Sequence, residues 1–242
     1  MDPFQRFVLL PDPGTALVLI PAALLYAAAA AALAGWLRTR RGVSAPYTRK
    51  VFHFLIFTMA VGVHHAFGLP GVATYGAVVA GVVLYAVARG EGHPFYEALA
   101  RPTDAPRRTL FILVPLATTA IGGLLANLLF AEFAMVGYLV AGWGDAVGEP
   151  VGTRWGRHRY RVPSLAGVAA SRSLEGSAAV FLLSTLAAGA VLLSWGHAPL
   201  TALGVGLVCG LAGAAVEAVS THGLDNLTVQ VAATAAAAWM LG

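Results

Sequence analysis

In the middle of the chain, residues 133–161 read FAMVGYLVAGWGDAVGEPVGTRWGRHRYR. An apolar run, Phe133–Ala141, leads into Asp145 and Glu149, and four arginines follow within a few residues. Two carboxylates four positions apart lie on the same face of a helix. This order of apolar, acidic and basic residues predicts a membrane helix that reaches one bilayer surface and presents a polar site there.

The composition of the whole chain indicates an integral membrane protein. Of the 242 residues, 58% are hydrophobic and 11% are charged, whereas soluble domains are about 25% charged. The mean hydropathy is +0.76. The single cysteine, Cys209, lies in an apolar run, which excludes a disulfide framework and a cysteine metal site. The net charge of +4 comes from loop residues, and we expect no nucleic-acid partner.

Eight apolar segments have about the length that a membrane-spanning helix needs. They are Thr15–Leu37, Val51–Phe67, Val72–Ala88, Leu110–Phe130, Phe133–Gly148, Ser173–Trp195, Leu200–Val219 and Leu224–Leu241. Residues 68–71 (GLPG) predict a tight turn between the second and third segments. We therefore predict an all-α, polytopic protein with about eight transmembrane helices and a single domain over residues 1–242.

The distribution of positive charge predicts the orientation. Fourteen of the fifteen lysines and arginines fall in the loops at residues 38–50, 89–109 and 150–172, and the exception is Arg6. With eight helices these three loops lie on one side, which the positive-inside rule makes cytoplasmic, with both termini on the opposite side. We expect most of these arginines to contact anionic membrane lipids.

Five carboxylates fall at the predicted cytoplasmic ends of helices. They are Asp145, Glu149, Glu175, Glu217 and Asp225. Carboxylates at membrane depth are costly and indicate function. Glu175 and Asp225 begin predicted helices, where the helix dipole favours an anion, so a structural role is also open for each. Asp145, Glu149 and Glu217 are predicted at C-terminal helix ends and need a cation there, either a loop arginine or a metal ion.

Other residue types fit the binding of phosphate. Arg49, Lys50 and His53 surround the predicted start of the second helix, and they either anchor it or bind an anion. Glycines recur at 144, 148, 152 and 156, where a phosphate could approach the backbone. Magnesium is commonly held by carboxylates together with nucleotide phosphates. Cationic groups stabilise a phosphoryl group in transfer.

The residues alone predict a metal-dependent membrane enzyme acting on a phosphate-bearing substrate. The chain contains no Walker P-loop, no protein-kinase catalytic-loop signature and no dinucleotide-binding fingerprint. A transporter is the alternative from another functional class. It would have charged residues near the middle of its helices and helices broken at the bilayer centre, whereas the acids of this chain lie at helix ends on one side.

Three separated segments resemble motifs of the polyprenol kinases: dolichol kinase, the phytol and farnesol kinases, and the yeast-type CTP-dependent diacylglycerol kinase. Residues 49–53 (RKVFH) are similar to the first motif of that family. Residues 144–156 and 172–177 (RSLEGS) resemble its central nucleotide-site block, and Glu217 with residues 225–229 (DNLTV) resembles its C-terminal block. The segments occur in the family's order. Arg172 stands where these kinases usually have lysine.

The resemblance implies a CTP-dependent kinase that phosphorylates the hydroxyl of a lipid alcohol taken from the bilayer, with Mg²⁺ as cofactor and the nucleotide arriving from the cytoplasm. The implied catalytic residues are Asp145, Glu175, Asp225 and His53. The implied nucleotide-binding residues are Arg49, Lys50, Gly144, Gly152, Gly156, Arg172, Ser173, Gly176, Ser177 and Asn226. The implied metal ligands are Asp145, Glu149 and Glu217. A cytidylyltransferase that forms a CDP-lipid stays open as a rival function. The identity of the alcohol, the choice among CTP, ATP and UTP, the general base and the oligomeric state also stay open.

Overall fold

A computed structural model describes residues 8–221 and 223–242, so Arg6 and His222 lie outside the described residues. The helices are α1 (Pro13–Arg40), α2 (Ala45–Arg89), α3 (Pro94–Leu99), α4 (Leu110–Phe130), α5 (Ala134–Leu139), α6 (Asp145–Trp155), α7 (Leu174–Ser194), α8 (Pro199–Val219) and α9 (Asp225–Leu241). The strands are β1 (Arg159–Leu165) and β2 (Val168–Ser173). Short 3₁₀ turns cover Pro102–Asp104 and Ala131–Phe133, and a π-helical turn covers Val140–Gly144.

Within the described residues, five helical segments are long and apolar enough to cross a membrane. They are Pro13–Arg40, Ala45–Arg89, Leu110–Trp155, Leu174–Ser194 and Pro199–Val219. This confirms the predicted polytopic, helical membrane protein, although it does not establish eight spans. The predicted turn near Gly68 is present, because Gly68 has φ 61° and ψ −157° and interrupts the 45-residue α2. Glycine adopts such a positive φ without the strain that a side chain would cause.

Two compact units divide the chain at Ile112 and Leu113. In the first unit, α1 packs on α2 and α3 through buried alanines such as Ala27 and Ala34. Small residues let the backbones of membrane helices approach closely. Two side-chain to backbone hydrogen bonds add to this packing, from Tyr26 to the Leu55 carbonyl (3.0 Å) and from Thr48 to the Ala98 carbonyl (2.9 Å).

In the second unit, α7 packs against α6 and α8, and α9 packs against α5 and α8. Glycines again permit close contact, because a β-carbon at Gly206 would lie 2.8 Å from the Thr185 carbonyl oxygen. Polar side chains on α9 are buried, including Asn226, Gln230 and Thr234, which recur every four residues. Hydrogen bonds between helices stabilise membrane proteins when such groups find partners.

The all-α prediction was wrong for the loop at residues 150–172. Strands β1 and β2 form an antiparallel hairpin there, in which Tyr160 pairs with Arg172 and Val162 with Ala170. The reason lies in an alternating pattern: Val162 is buried while Arg159 and Arg161 are exposed, as expected for a strand with one covered face. Gly167 at the turn has φ 79°.

Two predicted helix boundaries also differ from the structure. Helix α2 begins at Ala45, so Arg49 and Lys50 lie inside the helix and Lys50 is buried. Helix α6 continues to Trp155, so Asp145 and Glu149 do not lie at a C-terminal helix end as predicted. Glycines in this region normally indicate a helix end, but here they contact α7, and tertiary packing therefore outweighs their low helix propensity.

Candidate functional site

Three carboxylates from distant parts of the sequence converge in the second unit. Asp145, Glu217 and Asp225 each offer an oxygen, and these oxygens lie within 4.8 Å of one another. All three residues are more than nine-tenths buried. Their positions are the beginning of α6, the last turn of α8 and the beginning of α9. Like charges this close need cations or protons to neutralise them.

Asp145 follows directly on the π-helical turn Val140–Gly144. Such π-helical turns are frequent at functional sites because they redirect the residues that follow. The turn is buried against α7, where a β-carbon on Gly144 would overlap the Ser184 hydroxyl. Glycine at 144 therefore allows the π-helical turn to approach α7 closely and sets the position of Asp145.

Arg172 supplies a positive charge to this site. Its guanidinium pairs with Glu217 and, at 2.8 Å, with Oδ2 of Asp225, and it also donates to the Ser220 carbonyl (3.2 Å). Arg172 is thus a cation partner of Glu217, one of the two kinds that the sequence analysis left open. This compensation matters because the C-terminal end of α8 disfavours an anion. One guanidinium thus joins the hairpin to the turn between α8 and α9.

Asp225 is held at the beginning of α9 by its own backbone surroundings. Its Oδ1 accepts hydrogen bonds from the amides of Gly223 and Asn226, each at 3.0 Å, while Oδ2 pairs with Arg172. Asn226 donates from Nδ2 to Thr119 Oγ1 at 2.8 Å, which ties the start of α9 to α4. Asp225 therefore has both a structural role as a helix-start anion and a place among the converging acids.

The carboxylate oxygens of these three acids are ligands that suit a magnesium ion. Oε2 of Glu217 is buried and has no hydrogen-bond partner among the described residues, and the same is true of Nε of Arg172 and Oγ1 of Thr221. Buried polar atoms normally have partners. An unpartnered carboxylate oxygen can bind a cation, whereas an arginine N–H donor cannot, so it is the Glu217 oxygen that bears on a metal ion. Carboxylate oxygens are the ligands that magnesium prefers. Of the predicted metal ligands, Asp145 and Glu217 belong to this group, Asp225 joins them, and the half-buried Glu149 is not part of it.

Of the glycines predicted to bind nucleotide, three lie where α6 meets the start of α7: Gly152, Gly156 and Gly176. A β-carbon on Gly152 would lie 3.0 Å from Ser173 Oγ, and one on Gly176 would lie 2.8 Å from the Gly148 carbonyl oxygen. A β-carbon on Gly156 would lie 2.7 Å from Ser173 Oγ. These glycines therefore permit close packing of α6 on α7, and their approach to a phosphate stays a prediction.

The serines of the same segment have intramolecular partners. Ser173 is the N-cap of α7, and its Oγ accepts a hydrogen bond from the Gly176 amide at 3.1 Å. Ser177 shares a hydrogen bond of 2.7 Å with the hydroxyl of Tyr160, which lies opposite Arg172 in the hairpin. Both serines therefore position the hairpin and α7 next to the acidic group.

Glu175 has a separate partner. Its Oε1 lies 2.7 Å from Nδ1 of the exposed His158, and the carboxylate also accepts from the His158 amide at 3.3 Å. This pair closes the start of the hairpin onto the first turn of α7. Glu175 is thus not in the group of three converging acids, and its catalytic role stays a prediction.

Arg49, Lys50 and His53 belong to the first unit. Lys50 is 4% exposed, and the imidazole of His53 stacks on Phe57 with ring centroids 4.4 Å apart. An ionisable residue buried in a membrane helix is a candidate for a functional role, and the burial of Lys50 agrees with the predicted one. The roles of these three residues in binding phosphate or orienting a hydroxyl stay predictions.

Sequence reasoning missed several residues at the site. Tyr160, Ser184, Ser220 and Thr119 contact the predicted residues or lie against their backbone. The alternation of Tyr160 and Val162 with arginines was a signal for the strand that carries Tyr160. Ser184 and Thr119 lie within apolar helices, where the sequence offers no signal that separates them from other small polar residues.

Comparisons with known proteins give one informative similarity. The phytol kinase of Synechocystis sp. is 39% identical to this chain over 109 residues, which are 44% of this chain and 43% of that protein. The chain thus matches less than half the length of its curated relative. No protein-family model matches the chain, and no solved structure matches it. The similarity supports the predicted likeness to phytol and polyprenol kinases without identifying a particular member.

Proposed function

We propose that this protein is a membrane kinase that transfers the γ-phosphate of CTP to the hydroxyl of an isoprenoid alcohol such as phytol, geranylgeraniol, farnesol or a polyprenol. The observation that carries the proposal is the convergence of Asp145, Glu217 and Asp225 beside Arg172. One buried oxygen of Glu217 has no hydrogen-bond partner in the part of the chain that the structure describes. The similarity to a phytol kinase supports the same chemistry.

In this proposal the three converging acids hold Mg²⁺. When bound, the ion would neutralise charge on the nucleotide phosphates during transfer. Arg172 adds a planar guanidinium, which matches the oxygens of a phosphate in bidentate fashion. Ser173 and Ser177 hold the first turn of α7 and the hairpin in place, so that this guanidinium is directed at the site.

We further propose that the polypeptide crosses the membrane eight times. The break at Gly68 would divide α2 into two crossings, and α5, the π-helical turn and α6 would form one crossing. With α9 as the eighth, Asp145, Glu217 and Asp225 would reach the cytoplasmic face, where CTP and magnesium are available. The loops that carry fourteen of the fifteen lysines and arginines would lie on that face.

Position-specific labelling of the nucleotide tests the proposed reaction. Purified protein in detergent is supplied with Mg²⁺, CTP labelled at either the γ- or the α-phosphate, and a panel of alcohols that includes diacylglycerol. We expect label in the lipid from the γ position alone, and the best alcohol of the panel identifies the substrate. Label from the α position, with a phosphorylated lipid required, would establish a cytidylyltransferase instead.

A pair of acid-to-amide variants ties the reaction to the site. Asp145→Asn should lower the rate about 100-fold or more, because it removes a charged group from the converging acids. Glu132→Gln is the matched control, since Glu132 is exposed in the 3₁₀ turn before α5. Full activity in folded Asp145→Asn protein contradicts the assignment, and absence of transfer from CTP, ATP and UTP contradicts the kinase.

A further inference from the structure

Both oxygens of Asp225 have partners within the protein. Oδ1 accepts from two backbone amides, and Oδ2 pairs with the Arg172 guanidinium at 2.8 Å. Glu217 also pairs with Arg172 through Oε1, while its Oε2 has no partner among the described residues. Arg172 therefore occupies oxygens of two of the three acids that would bind a divalent cation.

A guanidinium and a divalent cation at the same carboxylate oxygen repel each other. Asp225 has no oxygen without a donor, so a metal ion that uses it must displace Arg172 or share Oδ2 with it. Oδ2 has a second lone pair and could bind a metal ion while it accepts from Arg172, but the two cations would then lie a few ångströms apart and repel each other in a buried site. Displacement is therefore the favoured outcome.

The position of Arg172 allows it to leave the acids without unfolding a helix. Arg172 lies in β2 of the two-stranded hairpin, on the same face as its pairing partner Tyr160. The other face of the hairpin carries the exposed Arg159 and Arg161. The side chain of Arg172 is long and flexible, and its Nε atom has no partner among the described residues. The contacts that hold it are those to Glu217, Asp225 and the Ser220 carbonyl.

We infer that Arg172 is an exchangeable internal cation. In the metal-free protein it neutralises Glu217 and Asp225, and on arrival of the metal–nucleotide complex it moves from these carboxylates to the nucleotide phosphates. This inference rests on the metal-dependent kinase proposed above and adds an order to its binding steps. The same guanidinium would thus stabilise the empty site and bind the substrate once the site is filled.

Arginine modification tests the exchange in the unaltered protein. Phenylglyoxal reacts with accessible arginines, and mass spectrometry reports each site separately. We expect Arg172 to be protected without metal, to become reactive when Mg²⁺ is added alone, and to be protected again by Mg²⁺ with CTP. The exposed Arg161 serves as the internal control and should react equally in all three conditions.

Metal binding provides an independent measurement that needs no lipid and no phosphoryl transfer. Electron paramagnetic resonance of free Mn²⁺ gives the affinity of the nucleotide-free protein. Arg172→Gln should bind Mn²⁺ more tightly than wild type, on the order of tenfold, because a competing cation has been removed. Arg161→Gln should leave the affinity unchanged. If Arg172→Gln does not fold, Arg172→Lys, which keeps the charge but loses the bidentate fork, should show a smaller increase.

The possible outcomes separate the inference from the proposed reaction. If Arg172→Gln binds Mn²⁺ with unchanged or weaker affinity, the exchange is overturned. The same holds if Arg172 stays protected from phenylglyoxal when Mg²⁺ is added. Either result leaves the kinase proposal standing. Absence of Mn²⁺ binding to wild type overturns the metal site and the exchange together. Metal-dependent exposure of Arg172 in a protein that transfers no phosphate supports the exchange and counts against the kinase alone.

Discussion

The Ser184 hydroxyl lies where a side chain on Gly144 would have to be. This contact joins the π-helical turn before Asp145 to the middle of α7. Neither residue is charged, and neither belongs to the group of three converging acids. Together they nevertheless set how closely the π-helical turn approaches α7. The position of the catalytic candidate Asp145 therefore depends on a glycine and a buried serine.

Gly144→Ala should destabilise the protein by about 1–3 kcal/mol, because a methyl group is forced into a packed helix contact. Gly144→Ala combined with Ser184→Ala should recover most of that loss, since the obstructing hydroxyl is removed. Thermal unfolding in detergent measures both effects. Gly204→Ala is the control, because a β-carbon there meets no atom within 4 Å. Equal stability of Gly144→Ala and Gly204→Ala contradicts the contact.

Glu217→Gln should lower both stability and metal binding. Glu217 pairs with Arg172 through Oε1, and removing one partner of a buried ion pair leaves the other charge less compensated. Without divalent cations, the variant should therefore unfold at a lower temperature than wild type. Its affinity for Mn²⁺ should fall about tenfold or more, because a ligand carboxylate is lost.

The comparison for Glu217→Gln is Glu132→Gln, which alters an exposed carboxylate. This control should change neither the unfolding temperature nor the Mn²⁺ affinity. A Glu217→Gln protein that is as stable as wild type without divalent cations would contradict a stabilising Glu217–Arg172 pair.

In the first unit, the Glu97–Arg108 pair predicts a dependence of stability on pH. Burial raises the pKa of Glu97, but hydrogen bonds from Arg108 (2.8 Å) and the Gly92 amide (3.0 Å) outweigh it, and the pKa lies below its ordinary value. A carboxyl with a lowered folded-state pKa stabilises the fold above its unfolded pKa and loses that contribution as pH falls through the folded value.

Glu97→Gln should therefore lower the stability at pH 7 by about 1 kcal/mol. The difference from wild type should begin to shrink as the pH falls below about 4 and should disappear below the lowered folded-state pKa of Glu97. Unfolding curves over this pH range measure it. Glu91 is the matched control, because it also pairs with Arg108 but is 70% exposed, and exposed ion pairs contribute little. An equal effect of Glu91→Gln and Glu97→Gln would contradict the burial argument.

Single cysteines test the proposed eight crossings. Cys209 is buried, and Cys209→Ala provides a background without thiols. In inverted and right-side-out vesicles, cysteines at the exposed positions Arg41, Thr103 and Ser164 should react with a membrane-impermeant maleimide from the cytoplasmic side. Cysteines at Ala66 and Ala198 should react from the opposite side. Labelling of positions 41 and 103 from opposite sides would contradict a chain reversal at Gly68.

Much of the helical fold could be predicted from the sequence, because each apolar segment carries its own signal. Long runs such as Leu110–Phe130 must bury their backbone polar groups in helical hydrogen bonds when they enter a bilayer. The sequence signal for the turn at Gly68 was equally local, since glycine and proline determine backbone conformation within a few residues. Residue types also indicated Asp145, Glu217 and Asp225, because carboxylates beside apolar helices are costly.

The hairpin and the C-terminal extent of α6 were not predicted from the sequence. In residues 159–173 the strand pattern covers a few positions on one face, and the surrounding arginines and glycines are also typical of a loop. In α6, Gly148 and Gly152 suggested a helix end, but α7 lies against them and favours the continued helix. In both the hairpin and α6, contacts with a segment that is distant in the sequence determined the local structure.

By itself, the sequence determined that the chain forms apolar helices and that its acids and arginines include the residues of a polar site, since hydrophobicity and charge are properties of each segment. Only the tertiary structure decided that Asp225, and not Glu149, completes the group with Asp145 and Glu217, and that Arg172 pairs with two of its members. These residues are separated by up to about eighty positions, so their proximity arises from the packing of α6, α7, α8 and α9 and not from any local pattern.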